Sequence, residues 1–176
     1  MDSDDELVQA IAAGGKEALR GVIDRHGAAV LNFLYRMTGD ASAAEDLSQE
    51  TFLRVYRHAG RYVPGGGFRG WLFAIARNLA LNHGRQRRME KSFAPVPSEA
   101  GDPIERAELE RAVDAAIDRI EEPFRSALVL CSLDGLSYGD AAAACGCSVK
   151  TLSSRLARAR AKLRELLAPH LKEETS

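Results

Sequence analysis

Apolar residues recur at steps of three and four along most of the chain, a spacing that places them on one face of each of several amphipathic α-helices. Ahead of residue 60 the pattern predicts three helices, separated by the pair Gly14–Gly15 and by Gly39. A fourth helix is predicted from Phe68 to Glu90, after a loop that holds a proline and three successive glycines. The pattern therefore predicts an all-α fold.

Helical spacing stops between residues 91 and 103, where proline, serine and alanine replace the regular apolar positions. We interpret this stretch as a flexible linker between two small helical domains, residues 1–90 and residues 104–176. In the second domain one predicted helix ends ahead of Pro123 and the next runs from Phe124 to Leu133. Two further helices follow, joined by a short turn.

These last two helices have the signals of a helix-turn-helix. Ser137 precedes Asp140 by three residues, which is the spacing of a helix start. Gly146 suits the left-handed residue that ends a helix, and Ser148 can cap the next one. The first helix is rich in alanine, so the second can cross it closely. The second domain is therefore predicted to end in a DNA-binding helix-turn-helix.

The outer face of the last helix is basic and carries hydroxyl groups. Residues 150–164 contain six basic residues and no acid, which favours phosphate binding with a steep salt dependence. A solvated surface helix is the alternative, and the capped turn makes it the weaker one. We expect Ser154 and Arg158 to face bases in the major groove. The full predicted set is Lys150, Thr151, Ser153, Ser154, Arg155 and Arg158.

The net charge of −1 conceals two basic blocks that are separated by an acidic one. Residues 69–91 hold six basic residues and one acid, whereas residues 99–122 hold nine acids and three arginines. An acidic N-terminus and the lack of a long apolar run lead us to expect a cytoplasmic protein with no membrane insertion. Three cysteines fit a reducing compartment better than a disulfide framework.

No sequence motif indicates catalysis. The glycine triplet is not followed by the Lys-Ser or Lys-Thr of a nucleotide-binding loop, and no catalytic triad is recognisable. Cys145 and Cys147 are too few to form a zinc site by themselves. We therefore expect a protein that is not an enzyme and that needs neither a metal nor another cofactor.

Two helices of the first domain carry polar faces with more than one interpretation. The third has an acidic face, either simply solvated or a docking surface for a basic partner, formed by Glu45, Asp46, Gln49 and Glu50. The fourth turns Trp71 inward and has a polar and basic surface that could follow a phosphate backbone and donate to exposed bases. That surface consists of Arg77, Asn78, Asn82, Arg85, Arg87 and Arg88.

Three segments resemble bacterial RNA polymerase sigma factors of the small extracytoplasmic-function (ECF) class, in the order of that family. They are AEDLSQETF at residues 44–52, WLFAIARNLA at residues 71–80 and SRLARARAKLR at residues 154–164. The resemblance implies a promoter-specificity subunit whose first domain docks on the polymerase and melts the minus-ten element. Its second domain would read the minus-thirty-five element in duplex form. The direct joining of two such domains is itself a mark of this class.

The resemblance also implies roles for individual residues. Asp46, Gln49 and Glu50, with Glu45 beside them, would contact the clamp helices of the largest catalytic subunit, while the second domain would meet the flap of the second subunit. Asn78 would line a pocket for a flipped base, beside a loop from Arg61 to Phe68. The remaining polar residues of the fourth helix would contact strand or phosphate. A separate anti-sigma factor is the expected inhibitor.

Two other functions remain open from the sequence. A stand-alone helix-turn-helix regulator would share the C-terminal features, but it gives no reason for the segment from Glu45 to Glu50. A nucleic-acid-processing enzyme would need a catalytic set that the sequence does not offer. The sigma factor is therefore the preferred hypothesis.

Overall fold

A computed structural model describes residues 3–91 and 106–173, with side chains described for residues 3–87 and 111–169. Every regular element within these ranges is helical, which confirms the predicted all-α class. The α-helices are α1 (Asp4–Ala12), α2 (Lys16–Thr38), α3 (Ala41–His58), α4 (Phe68–Lys91), α5 (Arg106–Asp118), α6 (Phe124–Leu128), α7 (Tyr138–Cys145) and α8 (Val149–Glu173). A short 3₁₀ turn, Ala59–Arg61, follows α3.

The predicted breaks in the first domain have clear local causes. Gly39 ends α2 with a left-handed φ of 66°, a conformation that costs glycine little. The Asp40 carboxylate then accepts a hydrogen bond of 3.1 Å from the Ala43 amide, which caps α3. These two residues therefore turn the chain between its two long N-terminal helices.

The N-terminal core forms around α2, which packs against α1, α3 and α4. Phe33 of α2 and Phe73 of α4 are fully buried and meet edge to face with ring centroids 5.5 Å apart. Ile23 was expected on the buried face of α2, but its side chain is 39% exposed because it lies at the edge of the apolar stripe.

The C-terminal core is built by α6 and α8, with α5 and α7 packed around them. Leu152, Leu156 and Ala159 of α8 are buried, as their spacing predicts. Val149 is exposed because it stands in the first turn, beyond the reach of the neighbouring helices. The helix predicted from Phe124 to Leu133 is α-helical only to Leu128 and continues as a wider π turn.

The two helical units also pack on each other through α4 and α7. Most of the predicted linker at residues 91–103, and the first two residues of the domain predicted from residue 104, lie outside the described residues. The helices in the described ranges include none long and apolar enough to span a membrane.

Candidate nucleic-acid interface

The helix-turn-helix forms through the predicted local signals. The Ser137 hydroxyl oxygen accepts a hydrogen bond of 3.0 Å from the Asp140 amide, which starts α7. Gly146 ends that helix with φ near 60°, and Ser148 accepts a 3.1 Å bond from the Thr151 amide to start α8. Ala141, Ala142 and Ala144 are buried, so small side chains keep α7 close to its neighbours. The two helices are therefore held by caps at both sides of the turn.

The outer face of α8 is open to solvent. Lys150, Ser154 and Arg158 are exposed, and among the described side chains neither basic group pairs with an acid. Thr151 is exposed too, with its hydroxyl 2.9 Å from that of Ser148. Ser153 and Arg155 are half-buried at the margins of this face. All six residues predicted from the sequence thus lie on or beside one accessible surface.

Two basic residues further along α8 have partners within the protein. Arg160 donates to the Ser132 hydroxyl at 3.1 Å, and Lys162 forms an ion pair of 2.9 Å with Glu165. Arg158 instead lies at the rim of a groove of about 400 Å³ between α8 and the chain segment around Ile120. Most of the described basic side chains of α8 that have no acidic partner therefore lie on its N-terminal half.

The polar surface of α4 divides into an exposed stripe and a covered side. Asn78, Asn82 and Arg85 are exposed and follow one another at steps of four and three, so they form one stripe. Arg85 donates to the Asn82 side-chain oxygen at 2.5 Å. Arg87 contacts the Asp40 carboxylate at 3.3 Å, and the side chain of Arg88 lies outside the described residues.

Arg77 is on the covered side of α4 and faces the C-terminal unit. Its guanidinium donates to the Ser126 hydroxyl at 2.9 Å and lies 3.7 Å from the Glu122 carboxylate. Ser126 in turn donates to Glu122 at 2.6 Å, so the three side chains form a connected polar cluster. In this arrangement the structure does not bring Arg77 together with the exposed stripe.

The contact between α4 and α7 is close at Gly70. A Cβ atom at Gly70 would lie 3.0 Å from the Ala143 Cβ and 3.1 Å from the Asp140 carbonyl oxygen. Nearby, Arg69 donates to the carbonyl oxygen of Asp134 at 3.3 Å. Burial raises the pKa of the Asp134 carboxyl to about 7, although Arg36 and Arg69 oppose that rise. The first helix of the helix-turn-helix therefore covers one side of α4.

An aromatic cluster supports the loop that precedes α4. Trp71 was expected in the core, but it is half-buried and packs on Tyr62 and Phe68, with ring centroids 5.3 and 6.0 Å away. Arg61 is exposed beside this cluster. No individual role was predicted for Tyr62, because it lies in an irregular segment without helical spacing.

The acidic face of α3 also carries exposed apolar side chains. Glu45, Asp46 and Gln49 are exposed, whereas Glu50 is half-buried and forms an ion pair of 2.7 Å with Arg54. Leu53 and Tyr56 continue the same stripe at steps of four and three from Gln49 and are 41% and 37% exposed. Helical spacing counts Tyr56 among the apolar positions of α3, but its side chain lies outward. Leu53 is not among the residues predicted from the sequence, although its spacing from Gln49 indicates the same stripe.

The cysteines show no reactive environment. Burial raises the pKa of the Cys145 thiol to about 11, so it stays protonated and unreactive at neutral pH. Among the described residues no group of three or more His, Cys, Asp or Glu side chains is arranged to hold a metal ion. The described surfaces include two polar faces on separate helices and an acidic one on a third.

Two family models match the chain, one to each helical unit. Sigma-70 region 2 matches residues 22–90, and Sigma-70 region 4 matches residues 110–163. The chain is 39% identical to the ECF RNA polymerase sigma factor SigE of Mycolicibacterium smegmatis over 86% of its own length and 62% of the length of that relative. It is 31% identical to the RNA polymerase sigma-H factor of Pseudomonas aeruginosa, with 98% of both chains covered.

Solved structures extend the similarity to the fold. CnrH, in complex with the cytosolic domain of CnrY, matches with a TM-score of 0.78 at 30% identity, over 96% of this chain and 99% of CnrH. RpoE of Bartonella quintana, in complex with the anti-sigma factor NepR, matches with a TM-score of 0.73 at 30% identity, over 85% and 96% of the two chains. The chain belongs to the extracytoplasmic-function class of RNA polymerase sigma factors, the promoter-specificity subunits of bacterial RNA polymerase.

Proposed function

We propose that this sigma factor reads its promoter with two surfaces and docks on core polymerase with a third. The outer face of α8 reads the minus-thirty-five element, and the exposed stripe of α4 with the preceding loop captures the melted minus-ten strand. The exposed stripe of α3 meets the polymerase. The observation that carries this assignment is the presence of two separate polar faces, on α4 and α8, each with asparagine or hydroxyl donors beside arginine.

The α8 surface suits duplex DNA. The N-terminal half of α8 is capped, exposed and free of acids. This is the end by which a recognition helix enters the major groove. Ser154 and Arg158 point away from the buried leucines and face bases, since an arginine can donate two bonds to guanine. Lys150, Thr151 and Arg155 contact phosphates, with Ser153 at the margin.

The α4 surface suits unpaired bases. Asn78 and Asn82 offer amide groups that both donate and accept hydrogen bonds, and Arg85 adds a charge for the backbone. Asn78 lines the pocket of the captured base, with Arg61 in the adjacent loop. Arg87 and Arg88 extend the phosphate path, and Arg77 joins it only when the C-terminal unit has moved away.

The α3 surface suits a protein partner. Its acids give the contact with the polymerase charge and register, and the exposed Leu53 and Tyr56 supply apolar area beside Gln49. Glu50 would exchange its pairing with Arg54 for a bond to the clamp helices. We infer that the second domain also contacts the flap of the second large subunit.

The two domains are assigned to residues 1–90 and 104–176, with the linker at 91–103. The protein acts in the cytoplasm with its polymerase, has no catalytic activity of its own and is held inactive by a separate anti-sigma factor. The complex of the related Bartonella quintana RpoE with the anti-sigma factor NepR supports that last inference.

The experiment is in vitro transcription by holoenzyme on a promoter library randomised at both elements, followed by sequencing of the transcripts. Asn78→Ala should change the base preference only at the minus-ten element, and Ser154→Ala only at the minus-thirty-five element. The matched control is Arg160→Ala, because Arg160 is tied to Ser132 and lies off the reading face. A variant that changes both elements equally, or neither, would contradict the assignment of its surface.

A further inference from the structure

The N-terminal helix α1 reaches across to the loop between α3 and α4. One carboxylate oxygen of Asp5 accepts a hydrogen bond from the Tyr62 hydroxyl, and the other accepts a bond of 2.7 Å from the Gly65 amide. The two donors stand three residues apart, Tyr62 just before the loop tip and Gly65 within it. A single carboxylate therefore ties the start of the loop to its tip.

The loop tip held in this way is a tight turn. The Gly66 amide donates to the Val63 carbonyl oxygen at 3.0 Å, and Gly65 adopts a left-handed φ of 77°. Val63 is left 72% exposed at the tip, and Arg61 is exposed beside it. The turn thus presents an apolar and a cationic side chain to solvent, both within the segment assigned to base capture.

The turn of α1 that carries Asp5 is held in place by contacts with α2. The neighbouring Asp4 forms an ion pair with Arg25 at 2.5 Å and a hydrogen bond with His26 at 3.0 Å, which fix the first turn of α1 to α2. Hydrogen bonds from His26 and Arg25 hold the pKa of Asp4 below its usual value, although burial alone would raise it. Leu7, Val8 and Ile11 bury the inner face of the helix. The carboxylate therefore comes from a rigid support.

The Tyr62 ring connects the loop to α4. It packs against Phe68 and Trp71, which stand in the first turn of the helix that carries Asn78. Burial raises the pKa of the Tyr62 phenol, and the bond to Asp5 raises it further, so the hydroxyl remains a donor at neutral pH. Asp5 consequently sets the position of Tyr62 as well as the shape of the tip.

We propose that Asp5 is a positioning residue that holds the loop from Tyr62 to Gly67 in the shape that captures the melted minus-ten base. This inference rests on the proposed function of the loop. A loop ordered before it meets DNA loses less conformational freedom on binding, so the contacts to the correct base count more fully toward affinity. A loop released from Asp5 would accept correct and incorrect bases more equally.

The test uses holoenzyme made with the full chain and forked promoter DNA that carries either the preferred or a substituted base at the captured position. Tyr62→Phe should lower the preference between the two DNAs about tenfold, the cost of one charge-assisted hydrogen bond. Asp5→Ala should lower it at least as much, because it also leaves the Gly65 amide without its bond. The double variant should be no worse than Asp5→Ala alone, because that variant already removes the bond to Tyr62. Glu6→Ala is the control in the same helix, because the Glu6 carboxylate accepts a hydrogen bond from the Ser3 amide and not from the loop, and it should leave the base preference unchanged.

A structural role alone would give a different pattern. It predicts that Asp5→Ala weakens binding to both DNAs equally and lowers the melting temperature as Glu6→Ala does, and this result would overturn the proposal. Asn78→Ala separates the proposal from its premise. If Asn78→Ala changes the base preference while Asp5→Ala and Tyr62→Phe do not, only the role of Asp5 fails. If none of the three changes it, the proposed function of the loop fails as well.

Discussion

The two proposed reading surfaces differ in how much of each is free in the closed arrangement of the structure. The outer face of α8 is exposed along its N-terminal half, and its arginine and lysine side chains have no acidic partner among the described residues. On α4, by contrast, the side that holds Arg77 lies against the C-terminal unit. The same helix-turn-helix that leaves one reading surface open therefore covers part of the other.

The geometry of a promoter sets a limit on this closed arrangement. Elements centred about 25 base pairs apart are separated by about 85 Å of DNA, since each pair adds about 3.4 Å. In the structure α4 and α7 approach to within van der Waals contact at Gly70. Both surfaces cannot read one promoter while these helices touch. We therefore expect the two helical units to separate when the chain binds a promoter, while the linker keeps them joined.

The largest change in DNA binding is expected at the outer face of α8. Arg158→Ala in holoenzyme should cost about 1–3 kcal/mol of binding free energy, because it removes a bidentate contact to a base, and it should relax specificity at one base pair. Binding to matched and mismatched minus-thirty-five elements measures both quantities. An equal loss on both DNAs would assign Arg158 to a phosphate instead.

A somewhat smaller effect is expected from opening the covered surface. Gly70→Leu has no room beside Ala143, so it should displace α7 and let the free protein bind a single-stranded minus-ten oligonucleotide about tenfold more tightly. Gly84→Leu is the matched control in the same helix, since a Cβ there meets nothing within 4 Å. Titration of a labelled oligonucleotide gives the affinities. Equal binding by both variants and the parent chain would show that α7 does not limit access.

The smallest effect probes the charge between the two units. The pKa of Asp134, about 7, lies above the ordinary value of 3.8, so the folded state binds more protons between about pH 4 and pH 7. Stability should therefore fall as the pH rises through that window, and Asp134→Asn should remove this fall. Denaturant unfolding at pH 5 and pH 6 should show a change of about 1 kcal/mol in the difference between the two proteins. A constant difference would mean that the carboxyl ionises freely.

Local signals in the sequence predicted much of the fold. The caps at Asp40, Ser137 and Ser148 and the left-handed glycines Gly39 and Gly146 act within a few residues, so their chemistry can be read directly. The all-α class and the helix-turn-helix are confirmed for the same reason. The wider π turn after Leu128 carries no such local signal and was not predicted.

Burial at the margins of the helices and contacts between distant segments could not be predicted in this way. Helical spacing placed Ile23 and Tyr56 on apolar stripes, but it does not tell how far a neighbouring helix extends over the edge of a stripe. Arg77 read as part of a basic surface because its partners, Ser126 and Glu122, come more than forty residues later. The roles of the site residues stay predictions, and that of Arg77 depends on the separation of the units.

Run-off transcription with purified core polymerase tests whether this chain directs initiation through both promoter elements. Core polymerase alone should start at no defined site, and addition of this chain should give one product whose yield falls when either promoter element is altered. The expected dependence on both elements follows from two weak readers joined by a tether. DNA binding by the chain without association with core polymerase, or a product that ignores both elements, would contradict the account.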